Sequence, residues 1–228
     1  MHINPLVTII TPTYNRASFI KQTIESVLNQ TYQNIEYLIL DDNSTDNTKE
    51  IVSSFNDPRI KYIYNNSNQG NLVVSTKGMN LASGYYLGVV DSDDFLELTC
   101  IEECINNIGN AGMIYTQAQY TGDKEGVVPN CKYKYSKENL LRVFMTFHFR
   151  MFKTELWHQV KPLTNVWHAW DYDFSLRISE ITNIAHIKKP LYNWRIHPGN
   201  LHKDLQNIRK DIEIIRETAK KRRQQNQV

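Results

Sequence analysis

The sequence predicts an α/β fold, a single domain in which a mostly parallel β-sheet is flanked by helices. Three observations predict it: apolar, β-branched runs of strand length recur, segments with helical spacing lie between them, and polar clusters follow directly on the strands. Strands that alternate with helices in this way pair in parallel and have both faces covered, because each crossover lays a helix on the sheet. At 228 residues the chain is long enough for one substantial core.

Each element has its own signal. Leu6 to Thr11 is apolar and β-branched, and Pro12 is expected to end this first strand. In ASFIKQTIESVLNQ the residues Phe19, Ile20, Ile24, Val27 and Leu28 recur at helical spacing. IEYLILDD is a near-continuous apolar strand, and NSTDNTKEIVSSF supplies cap-type residues before a second short helix. IKYIYN reads as a third strand, GNLVVSTKGMNLASG as a helix closed by Gly84, and YYLGVV as a fourth strand that delivers Asp91. Beyond Phe95 the expectation is a helix near Thr99 to Asn107, a strand at AGMIYTQAQY and a loop-rich stretch around Gly122, Gly126 and Pro129. SKENLLRVFMTF, AWDYDFSLRIS and DLQNIRKDIEIIRETAKK read as helices, with strand pieces in IAHIKKPLYNWRIH. In the last helix Leu205, Ile208, Ile212, Ile215 and Ala219 form an apolar stripe with basic residues beyond it. Such a stripe packs on the domain or lies on an anionic membrane.

Composition removes several classes. Lys and Arg number 26 against 24 Asp and Glu, a formal charge of +2, so only the tail KKRR is basic and nucleic acid is not expected as a partner. Three cysteines without CxxC spacing suit a reducing compartment and neither a disulfide framework nor a zinc site. LVTIITP is too short for a signal h-region, and no segment reaches the length of a membrane span, so the expectation is a cytoplasmic protein, soluble or peripheral at the membrane.

The most unusual stretch is YYLGVVDSDDFLEL, which crowds three aspartates into four positions after an apolar run. Carboxylates this close repel, and a folded site that holds them needs a cation. Ligands of open α/β sheets sit beyond the carboxyl ends of the strands, where Thr13 to Arg16, Asp41 and Asp42, and Asp91 to Asp94 all fall. Taken alone, DSDD reads first as a solvated acidic loop; its position after a buried strand reverses that and favours the cation.

Five motifs in order, VTIITPTYNRASFIKQTIESVLNQTYQNIEYLILDDNSTDNT, NQG, ASGYYLGVVDSDD, WDYDFSLRIS and YNWRIHPGNL, resemble the inverting family 2 glycosyltransferases of the GT-A fold, over roughly Leu6 to Leu201. The resemblance implies a nucleotide-binding half at about 1–98, an acceptor-binding half at about 99–203 and an appended amphipathic basic helix at 204–228. It implies that Asp42 accepts a hydrogen bond from a ring N–H of the base and that Tyr14 packs on that base, with Pro12, Arg16 and Ser92 beside the donor. The bland alternatives are a turn or cap for Asp42 and ordinary packing for Tyr14. Asp91 and Asp93 match the DxD pair, Asp91 near the ribose or metal and Asp93 as a direct ligand of Mg²⁺ or Mn²⁺, with the diphosphate supplying further oxygens. Asp94 is expected to cap the next helix. His197 resembles a late histidine that completes the metal shell, or is structural; Arg195 faces the diphosphate or pairs on the surface.

Asp171 occupies the family's base position, where a carboxylate takes the acceptor proton. Asp173 points elsewhere on the helix and is read as a surface or helix-support residue. Trp167, His168 and Trp170 shape the acceptor site or pack in the core. The sequence departs from the family pattern at Ser75 and Thr76, where an Arg-Asn pair is common, at Trp170, where an acid is usual, and at Leu98 in place of a proline. The implied function is an inverting, metal-dependent transfer of a sugar from a nucleotide-diphosphate donor, UDP by resemblance, to a hydroxyl of a glycan, lipid-linked or protein acceptor. A degenerate module that binds sugar nucleotide or carbohydrate without turnover is the alternative. A sugar nucleotidyltransferase is disfavoured because TPTYNRAS lacks the glycines of a phosphate loop, and an NAD enzyme because the same turn lacks GxGxxG.

Overall fold

The computed structural model describes residues 4–146, 148–161, 163–164, 166, 168–199 and 205–225; Trp167 lies outside the described residues. Among these, nine strands form one sheet. At its heart β1 (Val7–Thr13) pairs in parallel with β2 (Ile35–Asp41) on one side and β4 (Tyr86–Val89) on the other, and β3 (Ile60–Tyr64) continues the parallel run beside β2. Past β4 lie β8 (Arg150–Lys153), β6 (Met113–Gly122), β9 (Ile184–Ile196) and the two-residue β5 (Phe95–Leu96), while β7 (Gly126–Val127) pairs only with β6. β8 is antiparallel to both neighbours, and β6 and β9 are parallel.

Helices cover both faces. Ile9 of β1 shares a cluster with Ile20, Ile24 and Val27 of α1 (Ile20–Leu28) and with Cys100 and Cys104 of α4 (Cys100–Asn107). The neighbouring Ile10 points the other way, into a cluster with Val74 and Met79 of α3 (Asn71–Leu81), Trp157 of α6 (Thr154–Val160) and Leu176 of α7 (Trp170–Ile181). Strict alternation between two covered faces explains why β1 and β2 read as continuous apolar runs. α3 comes so close that a Cβ on Gly78 would stand 2.3 Å from Ile10 Cγ2. All three cysteines are buried and none is in a disulfide. α2 (Thr48–Ser53) and α5 (Lys137–Arg142) are short.

Several expected boundaries move. Pro12 does not end β1 but lies inside it, opposite Leu40 of β2. Ile10 accepts the Val90 N–H, so the peptide groups of Ile10 and Pro12 face the β4 side, and pairing with β4 has ended at Ile10. The N–H that proline lacks therefore has no ladder partner to lose. α3 stops at Leu81, so Gly84 is not its cap. Glycine is needed there because a Cβ would lie 2.6 Å from the Thr8 nitrogen and 2.8 Å from the Leu6 oxygen. The pieces expected in IAHIKKPLYNWRIH are one strand, β9, whose register against β6 slips around Pro190, where a ladder donor is missing.

α8 (Leu205–Gln225) follows the packing alternative: Ile215 and Ala219 are buried in the α7 cluster. Its basic residues serve the same contact, with Arg222 Nη2 3.0 Å from Glu180 and Arg223 Nη2 donating to Ser179 Oγ at 3.0 Å. No helix among the described residues is long and apolar enough to cross a membrane.

Candidate active site

The loops after β1 and β2 are laced together. Asn15 and Asn43 both have positive φ, a conformation asparagine tolerates better than most residues. Asn15 donates its N–H to Ser44 Oγ at 2.9 Å and accepts the Thr45 N–H at 2.8 Å, and the Arg16 N–H donates to Thr48 Oγ1 at 2.9 Å. This leaves Tyr14 43% exposed, at the rim above buried Pro12. Asp41 is the last residue of β2, and its carboxylate braces the turn that follows, accepting the Ser44 N–H at 2.7 Å and the Tyr62 hydroxyl at 2.7 Å. Asp42 is buried and accepts the N–H groups of Gln69 and Gly70 at 2.9 and 2.7 Å and the Asn65 amide at 3.1 Å. Lys77 Nζ in turn donates to Asn65 Oδ1 at 2.6 Å. The carboxylate thus fixes the entry to α3.

The acidic loop after β4 is held from three directions. Thr23 Oγ1 of α1 donates to the carbonyls of Ser92 and Asp94 at 3.1 and 2.6 Å, and the Asp91 N–H donates to the Tyr192 hydroxyl at 3.2 Å. Asp94 does not cap a helix, because β5 follows it; it is buried and accepts the Tyr192 hydroxyl at 2.7 Å and the Arg195 N–H at 2.8 Å. Burial first, and then the charges of Asp91 and Asp93, push its carboxyl well above the usual range. Arg195 is not a loose surface cation. Its Nε donates to the Asp93 carbonyl at 2.9 Å, it also donates to Gln22, and its guanidinium lies against the rings of Phe19 and Phe95 at 5.3 and 5.4 Å.

Asp93 Oδ2 is 3.3 Å from Arg16 Nε and 3.1 Å from His197 Nε2. Gly199 donates its N–H to His197 Nδ1 at 3.1 Å, so the neutral ring carries its proton on Nε2. The Asp93 carboxylate, with Asp91 on the same loop, offers the hard oxygens that suit Mg²⁺ or Mn²⁺; His197 Nε2 could join them only with the ring proton moved to Nδ1, at the cost of the Gly199 contact. No group of three or more candidate ligands converges among the described residues.

Asp171 stands in the first turn of α7, after Ala169, whose positive φ of 54° turns the chain into the helix. Its Oδ2 is 2.8 Å from Arg150 Nη2 and its Oδ1 accepts the Tyr172 N–H at 3.0 Å. Burial raises its pKa, but Arg150 and His148 outweigh that and hold it below the usual carboxylate value, so it is ionised near neutrality. Asp91 and Asp171 line one cavity of about 300 Å³, together with His148, Trp170, Tyr192 and Trp194. Asn71, to which Ser75 Oγ donates at 2.9 Å, reaches it from α3, and Ile208 and Ile212 wall it from α8. His168 lines it too, tied to Asp211 by its N–H at 2.8 Å.

Asp173 is not a surface residue. It is 0% exposed, accepts the Thr164 N–H at 2.8 Å and pairs with Arg177 at 2.9 Å and Arg222 at 3.5 Å, which makes it the buried anchor between α7 and α8. Sequence reasoning missed His148 and Arg150. His148 Nε2 lies 3.2 Å from Asp91 Oδ2, its ring stacks on Tyr192, and burial pushes its pKa below the ordinary imidazole value. The available signal was the pair of basic residue types, His and Arg, flanking Phe149 at the entry to a strand, in TFHFRMFK.

A sheet that delivers a paired-acid loop and a facing carboxylate to one cleft has the GT-A architecture of nucleotide-sugar-dependent transferases. Residues 8–162 match the family described as Glycosyl transferase family 2, and the chain belongs to that family. It is 34% identical over 209 residues to a hyaluronan synthase of Pasteurella multocida, covering 87% of this chain and 21% of that protein. It is 36% identical over 205 residues to a chondroitin synthase of Escherichia coli, covering 86% and 30%. The chain therefore spans between about a fifth and a third of these relatives. Among solved structures, S. aureus TarS 1–349 in complex with UDP-GlcNAc superposes with a TM-score of 0.77 at 19% identity, covering 92% of this chain and 66% of that one. This likeness shows the fold.

Proposed function

We propose that this chain is an inverting glycosyltransferase unit that moves a sugar from a nucleotide-diphosphate donor, with UDP as the favoured nucleotide, to a hydroxyl of a carbohydrate acceptor. The observation that carries the reading is the shared cavity of Asp91 and Asp171, which sets the acidic donor loop and an ionised carboxylate across one space. Tyr14, Asp42, Pro12, Arg16 and Ser92 surround the donor in this reading, and Asp93, Asp91 and His197 hold Mg²⁺ or Mn²⁺. The ion would stabilise negative charge on the departing diphosphate. Asp171 would take the proton of the attacking hydroxyl, and direct displacement inverts the anomeric centre.

Support for UDP comes from the TarS complex, and support for a polysaccharide acceptor from the relatives named as hyaluronan and chondroitin synthases. The aromatic walls of the cavity, Phe144, Trp170, Tyr192 and Trp194, suit the apolar faces of a sugar ring. The test is a donor screen that follows nucleotide release with Mn²⁺ and with chelator, repeated with oligosaccharide acceptors. Metal-dependent release from one UDP-sugar, raised by an acceptor and giving a β-linked product from an α-linked donor, is expected. Donor binding without any turnover across the screen overturns it in favour of a binding module.

A further inference from the structure

One guanidinium stands between the two sides of the cleft. Arg150 is buried at the start of β8; its Nη1 donates to the Thr146 carbonyl at 3.0 Å and its Nη2 lies 2.8 Å from Asp171 Oδ2. The same Nη2 is 3.3 Å from His148 Nδ1 and 3.2 Å from His148 Nε2. A nitrogen can be equally near both ring nitrogens, without striking the carbon between them, only from above the ring plane. The guanidinium therefore rests on the imidazole face and leaves its edge for Asp91. The ring also stacks on Tyr192, at 5.2 Å between centroids, and the Tyr192 hydroxyl holds Asp91 and Asp94. A continuous set of contacts thus runs from the donor loop through Tyr192 and His148 to Arg150 and Asp171.

We propose that Arg150 is a positioning residue: it fixes the Asp171 carboxylate relative to the donor loop, with His148 as the spacer. This rests on the reading of Asp171 as the base. One contact on each oxygen, Arg150 on Oδ2 and the Tyr172 N–H on Oδ1, removes rotation about the last torsion of Asp171 and leaves a lone pair for the cavity. Arg, with its planar fork, can hold carboxylate and ring together, whereas Lys offers a single point of charge. Placement matters because a base about 1 Å out of line loses on the order of 10²-fold in rate. The charged and titratable groups around Asp171 are Arg150 from β8, His148 from the preceding loop with Asp91 behind it, and the His168–Asp211 pair on the same cavity.

The experiment compares Arg150→Met, Arg150→Lys, Asp171→Asn and the double variant Arg150→Met/Asp171→Asn. UDP release from a panel of UDP-sugars with Mn²⁺, UDP affinity by calorimetry and thermal melting are measured for each. Arg150→Met is expected to lower turnover about 10²-fold, leave UDP affinity within about twofold, and cause no further loss in the Asp171→Asn background. Arg150→Lys is expected to recover part of the rate. Independently of turnover, ¹³C-carboxyl NMR, assigned by the signal lost in Asp171→Asn, follows the titration of Asp171. Its midpoint is expected to rise in Arg150→Met and to stay low in Arg150→Lys. An unmoved midpoint, or losses that multiply in the double variant, overturns the proposal. If Asp171→Asn keeps full turnover while the midpoint still rises in Arg150→Met, it is the base assignment that fails, and the clamp stands as a structural contact.

Discussion

In the loops after β1 and β2 the polar groups of the cleft are held by partners in neighbouring strand-end loops, Asn15 by Ser44 and Thr45 and Asp42 by Gln69 and Gly70, whereas the acidic loop after β4 is held largely from β9. In residues 99–199 the same kind of group is held from a distance. Asp171 on α7 is gripped by β8, and His168 is tied to α8. The first arrangement follows from parallel strands, whose carboxyl ends must lie side by side. The second depends on where an antiparallel strand, a helix and the C-terminal helix happen to pack. The donor side is accordingly expected to tolerate single losses, and the acceptor side to concentrate its function in few contacts.

The largest effect that would break this contrast is at Asp171. Asp171→Asn removes the basic charge while keeping the shape, and transfer is expected to fall by roughly 10²- to 10⁴-fold with donor affinity unchanged. Rates with saturating donor and calorimetry of UDP separate the two. A folded variant with near-normal transfer takes Asp171 out of the mechanism.

Next comes Asp173, two residues away and of opposite kind. Asp173→Asn leaves Arg177 and Arg222 facing a neutral group in a fully buried place. The expected cost is about 3 kcal/mol, a melting temperature lower by roughly 6–12 °C for a chain of this size. Transfer per folded molecule, measured well below that temperature, should stay within a few-fold. A normal melting curve would mean that α8 is not anchored through this residue.

On the donor side, Glu36 tests how β2 is held to the start of β1. Burial raises its pKa, but Lys61 at 2.6 Å, Thr8 at 2.6 Å and the Ser83 N–H at 2.9 Å bring it down to about 2. A folded pKa below the unfolded value of 4.5 means stabilisation that is full above pH 4.5 and lost as pH falls towards 2. Since Lys61 is largely exposed, about 2 kcal/mol at neutral pH is a fair size. Denaturant melts of wild type and Glu36→Gln should differ by that amount at pH 7, draw together as pH falls below 4.5, and converge only below about pH 2. A gap independent of pH would assign the effect to packing.

The smallest effect belongs to Tyr14, exposed at the rim. Tyr14→Ala is expected to weaken UDP binding by roughly 1–2 kcal/mol, the usual size of one base–aromatic stack, and to leave inorganic diphosphate with Mn²⁺ unaffected. Equal losses for both ligands would remove the ring from the base pocket.

The sequence by itself determined the mostly parallel sheet, its first four strands and the edge on which the acids gather, because period, β-branching and strand-end position are local properties of the chain. It also showed the DxD loop and pointed to Asp171, through motifs that keep their spacing. Tertiary structure decided what these residues touch. Whether Asp94 caps a helix or is buried under Tyr192, and whether Asp173 is wet or 0% exposed, depends on elements about a hundred and about fifty residues away in the chain. His148 and Arg150 were missed for the same reason. Their role arises when β8 inserts between β4 and β6 and brings a cation from late in the chain into a cleft whose acids come from Asp91 and Asp171. Hydrogen bonds and ion pairs act over a few ångströms of space, and no periodicity in sequence encodes which distant elements will close that gap.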